Sequence, residues 1–103
     1  MARQISKHSL NCSTDTQVVS LQRRARILCV APGDRGPDLF AETDVDDTTR
    51  AIDVKHSREF VVLMAGASAP SGSCYIGSTH VEVGRKHAVY HVYELPGVKP
   101  IGL

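Results

Sequence analysis

The stretch Cys74-Tyr-Ile-Gly-Ser-Thr-His-Val-Glu-Val-Gly-Arg-Lys-His-Ala-Val-Tyr-His-Val-Tyr-Glu94 decides the fold of this 103-residue chain. It predicts two β-strands, at about 74–83 and 87–95, because β-branched and aromatic residues dominate on both sides of Gly84. From residue 88 to residue 93 the second strand carries apolar or aromatic side chains at both odd and even positions, so both of its faces need cover. We therefore expect a central strand that is buried on two sides.

Six further segments have the length and composition of strands, and turn signals separate them. They are residues 2–10, Thr16–Leu21, Arg26–Ala31, Asp38–Thr43, Thr48–Val54 and Glu59–Ala65. The segment 48–54 is assigned as a strand with a short helix as the alternative, since its alternation is weak. About eight short strands predict an all-β fold, a compact small sandwich or barrel with little or no helix. Residues 1–95 form this single domain, and residues 96–103 form an extended C-terminal tail in which two prolines exclude a helix.

The predicted core consists of branched apolar residues and a few aromatic ones, because the chain has no tryptophan. Its members are Ile27, Val30, Phe60, Val62, Val81, Val89, Tyr90 and Val92. Within the first closing strand, Gly77 lets Tyr93 or another bulky neighbour pack against bare backbone.

Composition argues against several functions. Twelve basic and eleven acidic residues give a net charge of +1, whereas a nucleic-acid binder of this size usually has a clear basic excess. The longest apolar run, Phe60 to Ala65, is far shorter than the ~20 residues that span a membrane. The three cysteines, Cys12, Cys29 and Cys74, are odd in number and widely spaced, so we expect free thiols that bind no metal.

The residues that could carry chemistry lack the partners they would need. Gly66-Ala-Ser-Ala-Pro70 has neither the second glycine nor the following helix of a nucleophile elbow. His87 and His91 share a strand face but lie about 13 Å apart along it, too far to hold one ion. With a three-residue turn, His80 would lie opposite Tyr90 and His91 opposite Thr79. We therefore expect structural histidines and no catalytic, cofactor-binding or metal-binding residues.

Arg23, Arg24 and Arg26 form the only basic cluster of the sequence. Such a cluster can face phosphate groups or an acidic partner. Three arginines near a turn are more often a solvated edge that resists unwanted strand pairing.

Several of these segments together resemble a family of small uncharacterised proteins encoded by phages and prophages. The matching pieces are Ile27-Leu-Cys-Val30, Phe40-Ala41, Tyr75-Ile-Gly-Ser78 and Val89-Tyr-His-Val-Tyr-Glu94. In that family the second piece and the final strand usually contain tryptophan, where this chain has Phe40 and Tyr90, and the tail beyond Glu94 also departs from the pattern. The resemblance implies a phage-type origin and a compact β-rich domain, and it brings no catalytic residues.

We expect a non-catalytic structural or interaction protein, such as a capsid-decoration or virion accessory protein. Its partner would be another protein, either a major capsid protein or copies of itself, with no cofactor, nucleic acid or membrane. Met1 to Leu10 has no apolar segment typical of a signal peptide, so we expect it in the virion or the host cytoplasm and not secreted. The expected contact residues are the apolar tail side chains and the arginine cluster: Val98, Ile101, Leu103, Arg23, Arg24 and Arg26.

The alternative is a phage accessory protein that binds and sequesters a small host ligand such as a signalling nucleotide. The arginine cluster and the amides of the loop from Gly66 to Ser73 would then contact phosphate groups.

Overall fold

The computed structural model describes residues 2–22, 24–45 and 55–97, and these residues form seven β-strands and no helix. The strands are β1 (Ala2–Ser9), β2 (Gln17–Gln22), β3 (Arg26–Pro32), β4 (Pro37–Val45), β5 (Lys55–Met64), β6 (Cys74–Val83) and β7 (Lys86–Glu94). They build a three-stranded sheet in the order β1-β4-β3 and a four-stranded sheet in the order β2-β5-β7-β6, both antiparallel. The all-β prediction is confirmed. Residues 48–54, the assigned eighth strand, lie outside the described residues, as do Arg23 and residues 98–103.

Because the described part of the chain contains no helix, it also contains none that could cross a membrane.

The two sheets pack face to face around one apolar core. Leu39 and Ala41 of the three-stranded sheet, both fully buried, lie in one cluster with Phe60, Val62 and Val92 of the four-stranded sheet. These side chains occupy alternate positions of their strands, so each sheet turns one apolar face inward. The turn segments close the core with Leu10 and Ala25.

Most of the predicted core is confirmed. Phe60, Val62, Val81 and Val92 are buried, and Ile27, Val30 and Tyr90 are partly buried against the same cluster. Val89 was predicted to be buried, and this is wrong because 48% of its surface is exposed.

Val89 is exposed because the strand that is buried on both faces is β5 and not β7. Strand β7 is central, between β5 and β6, as predicted. Its outward face is nevertheless left without a packing layer by the seven described strands, since both sheets use their other face for the core. The strand with four consecutive buried residues is β5, from Phe60 to Leu63. An apolar residue that faces solvent and one that faces a second layer look alike in sequence, which explains the error.

The turn between β6 and β7 sets their register. Gly84 has a φ of +64° and is the first residue of a two-residue loop, with Val83 paired to Lys86. A positive φ at the first loop position suits the tight hairpin turns, and glycine adopts it without steric cost. The predicted three-residue turn was therefore one residue too long. As a result His80 lies opposite Val89 and not Tyr90, and His91 lies opposite Ser78 and not Thr79.

A glycine also lets the two sheets approach each other. A Cβ placed on Gly77 of β6 would lie 3.3 Å from a methyl carbon of Val30 on β3. The predicted bulky neighbour of Gly77 is thus Val30 of the opposite sheet and not Tyr93. Because β3 and β6 are edge strands of their respective sheets, this contact brings the two sheets together along one side of the sandwich.

Candidate interaction surfaces

The outward side of β6 and β7 carries a cluster of polar and aromatic side chains, which we call the Tyr75 face. Its members are Tyr75, Ser78, His80, Val89, His91 and Tyr93. Cross-strand pairing joins them in three pairs: Tyr75 with Tyr93, Ser78 with His91, and His80 with Val89.

A β-bulge in β6 creates this face. Tyr75 pairs with Tyr93 and Gly77 with Val92, so Ile76 is an extra residue without a partner of its own. In a regular strand Tyr75 and Ser78 are three apart and would point to opposite faces. The bulge changes the alternation, so that Tyr75 and Ser78 both point outward while Gly77 faces the opposite sheet.

Three side chains of the Tyr75 face are linked by hydrogen bonds. The Tyr75 hydroxyl lies 2.5 Å from Ser78 Oγ, and Ser78 Oγ lies 2.6 Å from His91 Nδ1. The rings of Tyr75 and Tyr93 meet edge to face with centroids 5.5 Å apart, a favourable arrangement of their quadrupoles. Four residues of the two most specific sequence motifs therefore form one connected group.

The direction of these hydrogen bonds determines what the group offers to a partner. If Tyr75 donates to Ser78 and Ser78 donates to Nδ1, a neutral His91 carries its proton on Nε2 as a donor and Tyr75 retains acceptor capacity. In the reverse direction the Tyr75 hydroxyl becomes the free donor and Nε2 the acceptor. In both cases the three neutral side chains together can present one donor at one end of the hydrogen-bonded group and one acceptor at the other, which is the pattern of an amide.

Apolar and aromatic side chains lie on the same side of the four-stranded sheet as this polar group. Tyr75 is 59% exposed, and Val18, on the same side of the sheet at its β2 edge, is 61% exposed. Val61 and Leu63 of β5 also point to this side and are buried. The surface therefore combines aromatic and aliphatic area with hydrogen-bonding groups, as protein interfaces do.

His80 of the Tyr75 face also contacts another histidine, His87 of β7. The rings of His80 and His87 are stacked with centroids 5.4 Å apart, and His87 Nε2 lies 3.5 Å from Glu82 Oε1. Within the described residues no group of three His, Cys, Asp or Glu side chains is arranged to hold a metal ion.

A second surface feature lies on the three-stranded sheet, where three arginines and one glutamate line a small cleft of about 50 Å³. We call it the arginine cleft, and its residues are Arg3, Arg24, Arg26 and Glu42. Arg24 and Arg26 belong to the predicted basic cluster, and the fold adds Arg3 from β1 to them. Glu42 on β4 lies directly opposite Arg26 on β3, yet its carboxylate pairs with Arg3 at 3.3 Å.

Residues 1–101 match the family described as a domain of unknown function, DUF7352. The chain belongs to this family. The match extends beyond Glu94 and includes Val98 and Ile101 of the tail. Neither the curated proteins nor the solved structures include a match to this DUF7352 domain.

The cysteines of the DUF7352 domain, all among its described residues, are free thiols. Cys29 and Cys74 are exposed, whereas Cys12 is half-buried next to Tyr90. A hydrogen bond with Cys12, burial and the charge of the thiolate raise the pKa of Tyr90. This contact joins the segment between β1 and β2 to the central strand β7.

Sequence reasoning missed the linkage of Tyr75, Ser78 and His91 in the DUF7352 domain. The two motifs that contain them were recognised, but a regular strand would have separated Tyr75 from Ser78. The signal that could have found the bulge is Gly77 in the middle of a strand, since glycine within a strand often marks an irregularity.

Proposed function

We propose that this DUF7352 domain is a non-catalytic structural or interaction protein of phage origin, such as a capsid-decoration or virion accessory protein. The phage origin rests on the sequence resemblance. The observation that supports docking is the Tyr75 face, an exposed aromatic surface with a hydrogen-bonded polar centre.

The Tyr75 face is part of the outer side of the four-stranded sheet, whose size limits the contact that the face can make. Strands are spaced about 4.8 Å apart and rise about 3.4 Å per residue, so the outer side of the four-stranded sheet measures at most roughly 15 × 30 Å. This projected area of roughly 450 Å² is about half of the ~800 Å² that each partner contributes to a standard interface, so the contact needs further area beyond it. The group linked by hydrogen bonds lies on β6 and β7, on the β6 side of this sheet.

The chemistry of the face indicates what kind of partner it takes. A complementary protein surface needs aliphatic or aromatic side chains opposite Tyr75 and Val89. It also needs one amide or similar donor-acceptor pair opposite the ends of the hydrogen-bonded chain. A major capsid protein and a second copy of this chain are the two partners that we propose, and the tail residues after Gly97 would extend the contact.

Two measurements test the proposal. Mass spectrometry of purified virions of the encoding phage should find the chain at a fixed ratio to the capsid protein. Sedimentation of purified particles with the Val89→Lys variant should then show weakened binding, since a lysine in the apolar part of the interface would lose its hydration. Ile5→Lys is the matched control, because Ile5 is 60% exposed on the outer side of the other sheet.

If the chain is absent from virions and sediments as a monomer at all concentrations, the proposal is wrong. If Ile5→Lys weakens binding and Val89→Lys does not, the contact lies on the three-stranded sheet.

A second candidate function, binding and sequestration of a small host ligand such as a signalling nucleotide, is favoured by the arginine cleft. The positive charge of the cleft suits phosphate groups. The cleft lies on the three-stranded sheet, whereas the Tyr75 face lies on the four-stranded sheet.

A further inference from the structure

We propose that the arginine cleft binds the terminal phosphate of a small phosphate monoester, and that the phosphate takes the place of Glu42 beside Arg3. This inference rests on the second candidate function and names the ligand group that it would recognise. It is independent of docking through the Tyr75 face.

The charge of the cleft matches a dianion. The four side chains that line the cleft, three guanidinium groups and one carboxylate, carry a formal charge of +2. A phosphate monoester carries a charge of about −1.5 to −2 at neutral pH, whereas a carboxylate or a phosphodiester carries only one negative charge. Arginine remains protonated at all relevant pH values and contacts phosphate oxygens through two parallel N–H groups.

Two of the three guanidinium groups are available. Among the described residues, Arg24 and Arg26 make no hydrogen bond or ion pair, and both are exposed. Arg58 of β5 shows what an arginine with a structural role looks like in this fold. It donates two hydrogen bonds to Glu94 at 2.6 and 2.7 Å and a third to the Ala25 carbonyl.

Glu42 occupies the position where an anionic ligand would compete. Only one contact joins it to Arg3, at 3.3 Å, and the Arg3 side chain is 58% exposed. Such an exposed ion pair contributes little to stability, so its loss on ligand binding has a small cost. Glu42 itself is only 18% exposed, so its carboxylate stays near the cleft after its ion pair with Arg3 opens. Its negative charge therefore lowers the affinity of the cleft for any anion.

The size of the cleft limits what it can enclose. A volume of about 50 Å³ is far below the ~300 Å³ or more of a pocket that holds a whole small molecule. The cleft can hold the phosphate group while the rest of the ligand stays outside. Recognition should therefore depend on the charge of the phosphate and weakly on the group attached to it.

Titration of the full chain with inorganic phosphate, followed by the amide shifts of residues 24–26 and 42 in NMR spectra, tests the site. Dimethyl phosphate at the same ionic strength is the singly charged probe, and adenosine 5′-monophosphate is the monoester probe. Inorganic phosphate and the monoester should bind with similar affinity and the diester about fivefold more weakly. Affinity should decrease with added salt.

Three variants make the test specific. The double variant Arg24→Gln with Arg26→Gln should weaken phosphate binding about tenfold. Each exposed charge contributes up to about fivefold in affinity. Glu42→Gln should strengthen it about threefold, because the competing carboxylate is removed. Arg85→Gln with Lys86→Gln is the control with the same change of net charge, since both residues are exposed at the β6–β7 turn. It should leave the affinity unchanged.

Weaker binding or no change in Glu42→Gln would overturn the exchange of Glu42 for phosphate, provided that thermal melting shows an intact fold. If dimethyl phosphate binds as tightly as inorganic phosphate, the cleft does not distinguish a monoester from a diester such as the nucleic-acid backbone. This result would also overturn the proposal. Val89→Lys separates the two proposals, because it should weaken docking and leave phosphate binding intact.

Discussion

Replacement of Gly77 by valine tests whether close contact between β3 and β6 holds the two sheets together. The new Cβ would lie 3.3 Å from a Val30 methyl carbon, closer than the 3.5–4.0 Å at which two carbon atoms attract each other best. The two added methyl groups need space on the same side. Overpacking of this kind costs about 1–3 kcal/mol, and the higher β-propensity of valine returns at most about 1 kcal/mol. We therefore expect a net loss of about 1–2 kcal/mol.

Urea unfolding, followed by far-UV circular dichroism because the chain has no tryptophan, measures this loss. A double-mutant cycle with Val30→Ala identifies its cause. If Val30 is the neighbour that must move, Gly77→Val should cost much less once Val30 has been shortened. Additive effects of the two substitutions would show that the contact is absent and that the sheets meet elsewhere.

Four further predictions concern the core, the tail, an ionisation and the thiols. Phe60→Ala should cost about 3–5 kcal/mol in the same unfolding assay, whereas Met64→Ala, at a half-exposed position of the same strand, should cost less than about 1 kcal/mol; similar losses would mean that the core is misplaced. Deletion of residues 97–103 should leave a folded domain with weaker association, and unfolding of the shortened chain would assign the tail to the core. Because the pKa of Tyr90 is raised in the fold, the protonated hydroxyl stabilises the fold below about pH 10, and this stability is lost as the pH rises through the raised pKa. Absorbance titration should show a late tyrosinate phase that the Tyr90→Phe variant lacks. Persistence of that phase in the variant would refute its assignment to Tyr90. Thiol titration of the unfolded, unreduced chain should find three free groups, and a single group would reveal a disulfide.

The positions of the strands could be predicted well from the sequence because strand and turn residues alternate clearly along it. Strand β3 begins at Arg26 in both the prediction and the structure, and β6 spans residues 74–83 in both. Glycine, proline and acidic residues mark the ends of these segments, and local backbone preferences determine where a strand can continue. These preferences act over a few residues and are readable without the tertiary structure.

The relations between strands were harder to predict because they depend on single residues. A turn of two residues in place of three moved His91 from Thr79 to Ser78. The bulge at Ile76 reversed the side to which Tyr75 points. Each of these changes alters the neighbours of every following side chain. The motifs that contain Tyr75, Ser78 and His91 were therefore recognised in the sequence, but the hydrogen bonds between these side chains were not predicted.

The order in which strands pair has a consequence for how the chain acquires its structure. β1 pairs with β4 and β2 with β5, so the two pairings interleave along the chain, with Ser9 joined to Asp38 and Gln22 to Lys55. The hairpins β3–β4 and β6–β7 can form as soon as their own residues are available, within about 1–10 μs for a typical hairpin. The first two strands must wait for partners that a ribosome produces much later, and during that time their apolar side chains remain exposed. Folding of this topology should be slow for its size, and the N-terminal strands should be its most vulnerable segment during synthesis.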